Sequence, residues 1–325
     1  MKHLKHVSTL VLGTQIRLSC SALALAALLA ACHDSAPPAA PEGTPGNPLD
    51  ARRGSSTQGR PTGQLGIRTA TVDRTFAKVQ YHLGPVMTGA VNIYFIWYGS
   101  WTGSTAPDLL IEFATRIGSS SYHAINTLYP DGTGARPVNS VTFGGSIEDP
   151  YSFGASLNRA DVDSIVMRAI EDVQVPLDPN GIYFVLGAAD VTVGYESCRV
   201  YCGIHGYTVV DGTPIKLAFV GNPERCPTQC AAQAVGPNGT LAGDAMASTV
   251  AGLISAAVTD PELSSWYDRL GLENAGKCAW DFGPTYTAAN GAQANISLGG
   301  RDYLLQRNWV PTRKGGYCAL AAPPA

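Results

Sequence analysis

Apolar residues recur along this chain with either a strand or a helix period. The run Val91-Asn92-Ile93-Tyr94-Phe95-Ile96-Trp97-Tyr98, bounded by Gly89 and Gly99, is β-branched and aromatic throughout and predicts a buried strand. Residues 108–117 carry apolar side chains at 109, 110, 113 and 117, a helical spacing. Residues 138–143 predict a second strand. Asn158 stands where it can cap a helix. The apolar positions of that helix, Val162, Ile165, Val166, Ala169, Ile170 and Val173, repeat every three or four residues, so one face is expected to be buried. Residues 182–186 read as a further buried strand, and residues 207–210 and 215–220 as two more around an Asp211-Gly212 turn. Asp244 can cap a third helix running to about residue 258, where Thr259-Asp260-Pro261 stops it. That segment is almost wholly small and apolar, and a helix apolar all round belongs at the centre of a domain. A Gly- and Asn-rich stretch and a last apolar segment, residues 303–310, complete the chain. Helices and strands alternate without an internal repeat. The fold class expected is α/β (mixed α+β), a central mixed sheet packed by helices.

The first 32 residues add a compartment to this picture. Lys2, Lys5 and Arg17 precede an uncharged stretch, residues 18–31. At about 14 residues it falls short of the roughly 20 that cross a bilayer, and it has the flanks of a signal-peptide core. It ends in Leu29-Ala30-Ala31-Cys32, which resembles a lipobox, where the cysteine thiol receives a diacylglycerol. Ordinary cleavage after a small-residue site is the alternative. Residues 1–32 are therefore expected to be a lipoprotein signal peptide with lipidation on Cys32, the acyl chains anchoring the protein at about 0.8 kcal/mol per buried methylene. His33 after that cysteine, rather than Asp, suggests the outer membrane in a cell with two membranes. Residues 33–70 hold Pro37, Pro38, Pro41, Pro45, Pro48 and Pro61 among few large apolar residues. Such a stretch cannot offset its ordering entropy and is expected to be a disordered tether. Residues 71–325 are then the globular domain, and no other segment reads as a membrane span. Loss of Lys2, Lys5 and Arg17 from 22 basic residues leaves 19 against 25 acidic ones, net −6. That balance gives no electrostatic case for nucleic acid as a partner.

Six cysteines remain outside the signal: Cys198, Cys202, Cys226, Cys230, Cys278 and Cys318. An even number in an exported domain favours three disulfides. Sequence does not choose among the pairings; local bridges 198–202 and 226–230, with 278–318 tying down the C-terminal segment, are the working expectation. A metal site is the rival, since Cys-x3-Cys occurs twice, though the CxxC spacing of zinc ribbons is missing.

Catalytic motifs are sparse. There is no G-x-S-x-G elbow, no S-x-x-K and no Gly-rich phosphate loop with a following Lys. His82, His123 and His205 are too far apart in sequence for a two-histidine helical metal face. Asp161, Asp163, Glu171 and Asp172 read as the solvated face of the second helix. Asn238-Gly239-Thr240 and Asn295-Ile296-Ser297 match glycosylation acceptors. Tyr94, Trp97, Tyr98 and Trp101 read as core, with Trp101, beyond Gly99, the exception best placed to meet a ligand.

Several runs together resemble the EXORDIUM family, exported phosphate-induced proteins known mainly from plant cell walls. They are Tyr81-His82-Leu83-Gly84-Pro85-Val86, Ile93-Tyr94-Phe95-Ile96-Trp97-Tyr98-Gly99-Ser100-Trp101 and Cys202-Gly203-Ile204-His205-Gly206. Gly221-Asn222, Cys226-Pro227-Thr228-Gln229-Cys230 and Gly300-Arg301-Asp302-Tyr303-Leu304-Leu305 follow in the family's order, so the likeness covers roughly residues 79–318. It implies an extracellular protein linked to growth or surface processes, without an established reaction. A second resemblance lies inside the first. Microbial relatives carry a His-Glu-x-x-Glu helix followed by Ala-Val-Thr-Asp-Pro, which looks like the zinc helix of a metallopeptidase, where His and carboxylates one turn apart hold the metal. This chain keeps Ala257-Val258-Thr259-Asp260-Pro261, Trp266-Tyr267-Asp268 and Lys277-Cys278-Ala279-Trp280. Gly252, Leu253 and Ala256 stand where the ligands and general base would be; Glu273 matches the downstream Glu, and Gly276 replaces an Asp. The resemblance therefore implies a zincin-like core helix with no catalytic residue, no metal ligand and no cofactor. The expected protein is membrane-anchored and binds a cell-wall glycan or an extracellular protein. Two alternatives stay open: a hydrolase working through Glu273 and His205, and a carbohydrate-binding module built on Trp101.

Overall fold

A strand apolar on both faces has to be covered on both, and the chain supplies the covers in sequence. A computed structural model describes residues 63–66 and 78–324. In chain order its principal elements are β1 (Gln64–Gly66), β2 (Val91–Tyr98), α1 (Ala106–Arg116), β3 (Val141–Asp149), α2 (Arg159–Glu171) and β4 (Gly181–Gly187). There follow β5 (Tyr201–Val210), β6 (Thr213–Val220), α3 (Leu241–Thr259) and a hairpin of β7 (Asn308–Thr312) with β8 (Gly315–Ala319). The central six-stranded sheet runs β1-β5-β6-β4-β2-β3. Strands β3, β2, β4 and β6 are parallel; β5 is antiparallel to β6, and β1 to β5. The mixed α/β class expected from the alternation is the one observed.

The two faces of β2 divide cleanly. Val91, Ile93, Phe95 and Trp97 join a core shared with α1 and α3, while Tyr94, Ile96 and Tyr98 join one shared with α2. β2 is thus a central strand between two helical layers. Helix α2 begins as its sequence predicts: Asn158 accepts hydrogen bonds from the backbone N–H groups of Ala160 and Asp161, and the Asp161 carboxylate accepts from Asn158 N–H, a full capping box. The Asp211-Gly212 turn closes the β5–β6 hairpin, both residues having positive φ (48° and 77°).

Several expectations are corrected. Residues 64–66, placed in the tether, form edge strand β1, because Leu65 finds a buried seat (4% exposed). Cys32 and the signal peptide lie outside the described residues, as does most of residues 33–70. β3 starts at Val141 and runs on through Gly144-Gly145. A Cβ at Gly144 would meet the Tyr94 ring at 2.5 Å, so glycine there marks packing rather than a break. β5 likewise starts six residues early, its Gly203 pressed on α3 at Thr249 and Leu253. Val173 leaves the α2 face at φ 56° and is 84% exposed, whereas Asp163, read as solvated, is buried.

Thr240, not Asp244, caps α3, its side chain accepting from Gly243 N–H. By length and composition α3 could cross a membrane, contrary to the reading of the sequence, but all its residues except Leu241 and Ala245 are buried inside the protein. The last apolar segment splits between a short strand, Arg301–Tyr303, and β7.

The disulfides pair Cys198 with Cys226, Cys202 with Cys230 and Cys278 with Cys318. The C-terminal bridge is the one expected; the expected local bridges 198–202 and 226–230 do not form. Cys226 caps, and Cys230 ends, the helical turn Pro227–Cys230. Residues one turn apart hold their Cβ atoms about 5–6 Å from each other, beyond the roughly 3.8 Å that a disulfide spans. Both cysteines instead project toward β5 and its preceding turn, and the two bridges staple that helical turn to the sheet.

Candidate functional site

The face of α3 that would hold a metal in a peptidase is sealed. Gly252, Leu253 and Ala256 are all buried. A Cβ built on Gly252 would meet Leu65 Cδ1 at 2.7 Å and Ala275 Cβ at 3.5 Å, so β1 and the segment after Glu273 close over the position. Leu253 packs on Gly203 of β5. An all-hydrocarbon lining offers neither a ligand nor a base to polarise water. Beside it a narrow groove of about 30 Å³ runs between Trp280 and Phe282 on one side and Asp244, Ser248 and Thr249 of α3 on the other. It takes a water or two, not a substrate. Burial raises the Asp244 carboxyl, but its oxygens are occupied: they accept from the N–H and side-chain amide of Asn238 and from Thr240 N–H.

Behind this seal lie the two residues that the sequence singled out. His205 comes from β5, and Glu273 precedes the helical turn Asn274–Lys277. His205 Nε2 and Glu273 Oε1 are 2.9 Å apart, at 0% and 5% exposure. The third member, Asp260, escaped sequence reading: it ends α3, and its sequence signal, Asp-Pro after an apolar helix, pointed only to a helix stop. Its Oδ1 accepts from Ser264 and Ser265 N–H at 2.5 and 2.6 Å. Burial first, and then the charge of Glu273, push the Asp260 carboxyl up to about 7, against the lowering pull of Ser265, His205 and Ser264. The cluster ties β5, the end of α3 and the following loop together without an opening for a substrate. The other two histidines of the described residues are also engaged, His82 stacked on Tyr267 at 3.7 Å and His123 bonded through Nδ1 to Asn139 at 3.1 Å.

Trp101 is not part of this cluster. It half-emerges after β2, edge-on to Trp97 with ring centroids 5.4 Å apart, and lines a cleft of about 340 Å³ with Ser100, Thr102, Glu148 and Tyr151. Sequence reading found Trp101 but missed Glu148 and Tyr151, which only the pairing of β2 with β3 brings alongside it. Tyr94, Trp97 and Tyr98 are core, as expected.

Among the described residues, the His, Cys, Asp and Glu side chains close enough to share an ion are Cys198, Cys226 and Cys230, within 4.8 Å of one another, and each is spent in a disulfide. The two glycosylation matches carry engaged amides. Asn238 Nδ2 donates to Asp244 and to the Asp302 carbonyl, and Asn295 Nδ2 to the carbonyls of Phe282 and Leu305.

No solved structure matches this chain. The family model described as the phosphate-induced protein 1 conserved region matches residues 79–317. The chain is 30% identical to Protein EXORDIUM-like 3 of Arabidopsis thaliana over 280 residues, 74% of this chain and 82% of the relative. It is 28% identical to Protein EXORDIUM-like 1 of the same plant, over 74% of this chain and 91% of the relative. With Protein PHOSPHATE-INDUCED 1 of Nicotiana tabacum it shares 25% identity over 72% of this chain and 86% of the relative. The match spans most of the folded residues, the sealed helix and the buried His–Glu pair included, and the chain therefore belongs to the phosphate-induced protein 1 family, with the EXORDIUM proteins among its relatives.

Proposed function

We propose that this protein is a non-catalytic binding protein, exported and held at a membrane by a lipid on Cys32, whose domain engages a cell-wall or other extracellular component. The observation that carries the non-catalytic part is the sealed face of α3, where Gly252 lies against Leu65 and Ala275, Leu253 lies against Gly203, and Ala256 is buried. The basic and apolar start of the chain, the Leu-Ala-Ala-Cys run and three disulfides support export. A hydrolase built on His205 and Glu273 has no such support, because both side chains are buried away from any substrate.

Metal analysis of the purified protein, coupled to a peptide-hydrolysis assay with and without chelator, tests the reading. No stoichiometric metal and no chelator-sensitive turnover is the expected result. One zinc per chain with hydrolysis abolished by chelator would overturn it.

A further inference from the structure

We infer that the cleft at the carboxyl ends of β2 and β3 is a site for an uncharged saccharide, with Trp101 and Tyr151 as its aromatic faces and Glu148 as its hydroxyl acceptor. The inference names a ligand class for the binding role proposed above and rests on it.

Topology places the cleft first. β2 and β3 are parallel neighbours, and the helices that follow them go to opposite faces of the sheet, α1 to the layer of α3 and α2 to the other. Open α/β sheets bind ligands beyond the carboxyl ends of their strands, and this cleft lies there, next to the β4–β2 boundary at which the strand order reverses. The cleft is lined mainly from those two strand ends, by Gly99–Thr102 after β2 and by Glu148, Pro150 and Tyr151 at and after the end of β3, with Pro107 of α1 beside them. Its volume, about 340 Å³, suits one or two sugar rings.

Its walls are held in place. Gly99 has φ 97°, and a Cβ there would meet Ala188 Cβ at 2.8 Å and Tyr151 Cε1 at 3.1 Å. Tyr151 itself has φ 65°, a costly conformation for a bulky residue that persists only where its surroundings impose it. They do so here: the Tyr151 hydroxyl accepts from Ser100 N–H at 3.0 Å and donates to Asp190 at 3.1 Å. The Tyr98 hydroxyl accepts from Phe153 N–H and donates to the Gly154 carbonyl, both at 2.8 Å. A strained, over-determined loop beside a cleft marks a preorganised surface.

The chemistry of the lining selects the ligand. No basic side chain lines the cleft, and Glu148 is exposed with no hydrogen bond or ion pair among the described residues. Helix α1, which opens nearby, has Pro107 at its start and Asp108 in its first turn. Phosphates, nucleotides and acidic sugars are therefore repelled rather than held. Aromatic faces meet the C–H face of a pyranose, and the Glu148 carboxylate with the Ser100 and Thr102 hydroxyls meets its hydroxyl groups.

Isothermal titration of the detergent-solubilised full chain with cello-, xylo- and N-acetylglucosamine oligosaccharides tests this, with oligogalacturonate and an unrelated peptide pool alongside. Saturable binding of at least one uncharged oligosaccharide is expected. Trp101→Ala should weaken it by about tenfold or more, the scale of one lost aromatic contact. Trp101 touches both cores, so two exposed positions back it up: Glu148→Gln should weaken binding several-fold, and Thr102→Trp, which fills the cleft, should abolish it, both with unchanged melting temperature. Binding by no uncharged probe, binding indifferent to Glu148→Gln and Thr102→Trp, or a preference for oligogalacturonate or peptide overturns the assignment. Glycan binding that survives those variants refutes this cleft and leaves the surface-binding role standing. Zinc-dependent hydrolysis would refute that role whatever the cleft binds.

Discussion

At the scale of single residues, burial decides what each candidate group can do. Asp260 is fully buried and its carboxyl is pushed from the usual 3.8 to about 7. The folded state thus holds that proton more tightly than the unfolded chain does. The sign follows from linkage: the contribution is complete below about pH 4 and is lost as the pH rises toward 7. His123 works in the opposite direction. Burial lowers it from 6.5 to about 4, so its contribution is present above pH 6.5 and is lost on acidification toward 4. Comparison with Asp260→Asn, which keeps the acceptor for Ser264 and Ser265, isolates the first effect. Urea unfolding from pH 4.5 to 8 should show the variant gaining on the parent as pH rises; a pH-independent difference would refute the assignment. Gly252 tests the seal. Gly252→His forces an imidazole against Leu65 and should cost at least about 2 kcal/mol by overpacking and by burying a polar ring. The same unfolding curves measure it. An unchanged midpoint would mean that Leu65 does not close the position.

At the scale of elements, helix ends and strand edges separate what is locally encoded from what is not. The Asn158 box is written in four consecutive residues and forms as written. The start of α3 is not so legible, because Thr240 and Asp244 are both competent caps by type. Tertiary contact decides between them: Asp244 is occupied by Asn238, while Thr240 takes the cap. Thr240→Ala should therefore cost about 1 kcal/mol, the usual worth of such a cap, read from the shift of the urea midpoint. Asp244→Ala should cost more, since it leaves the Asn238 side chain and two backbone N–H groups short of an acceptor. If the two losses came in the reverse order, Asp244 would be no more than a surface acid. Glycine blurred the strands: Gly144 in β3 and Gly203 in β5 look like interruptions in sequence and are close-packed positions in space.

At the scale of the whole molecule, the disulfides and the proposed anchor carry the predictions. Cys278–Cys318 ties the one-turn helix after Glu273 to β8, across 40 residues of sequence. Beside it Lys277 and Asp268 form a fully buried ion pair at 3.0 Å, with the Lys277 ammonium 4.9 Å above the Trp309 ring. Replacing both cysteines with Ser should cost about 2–5 kcal/mol and loosen this end before the sheet. Hydrogen exchange would show it as lost protection in β7 and β8 with β2 and β4 still protected; uniform loss would contradict it. Cys32→Ser should move the protein from the membrane fraction to the soluble exported fraction, and fractionation of cells expressing both forms reads this directly. Retention in the membrane would reject the lipid anchor.

Sequence alone determined the class of the fold, the core strands β2 and β4, the α2 cap and the family likeness, because each is carried by side-chain period or by short ordered motifs. It also selected His205, Glu273 and Trp101. It did not determine that the first two pair with each other within electrostatic reach of Asp260, that Leu65 closes over Gly252, which cysteines pair, or that Glu148 and Tyr151 stand beside Trp101. Those facts are contacts between segments tens to more than a hundred residues apart. They depend on which strands become neighbours and which helices cover them, and no periodicity within a single segment encodes that.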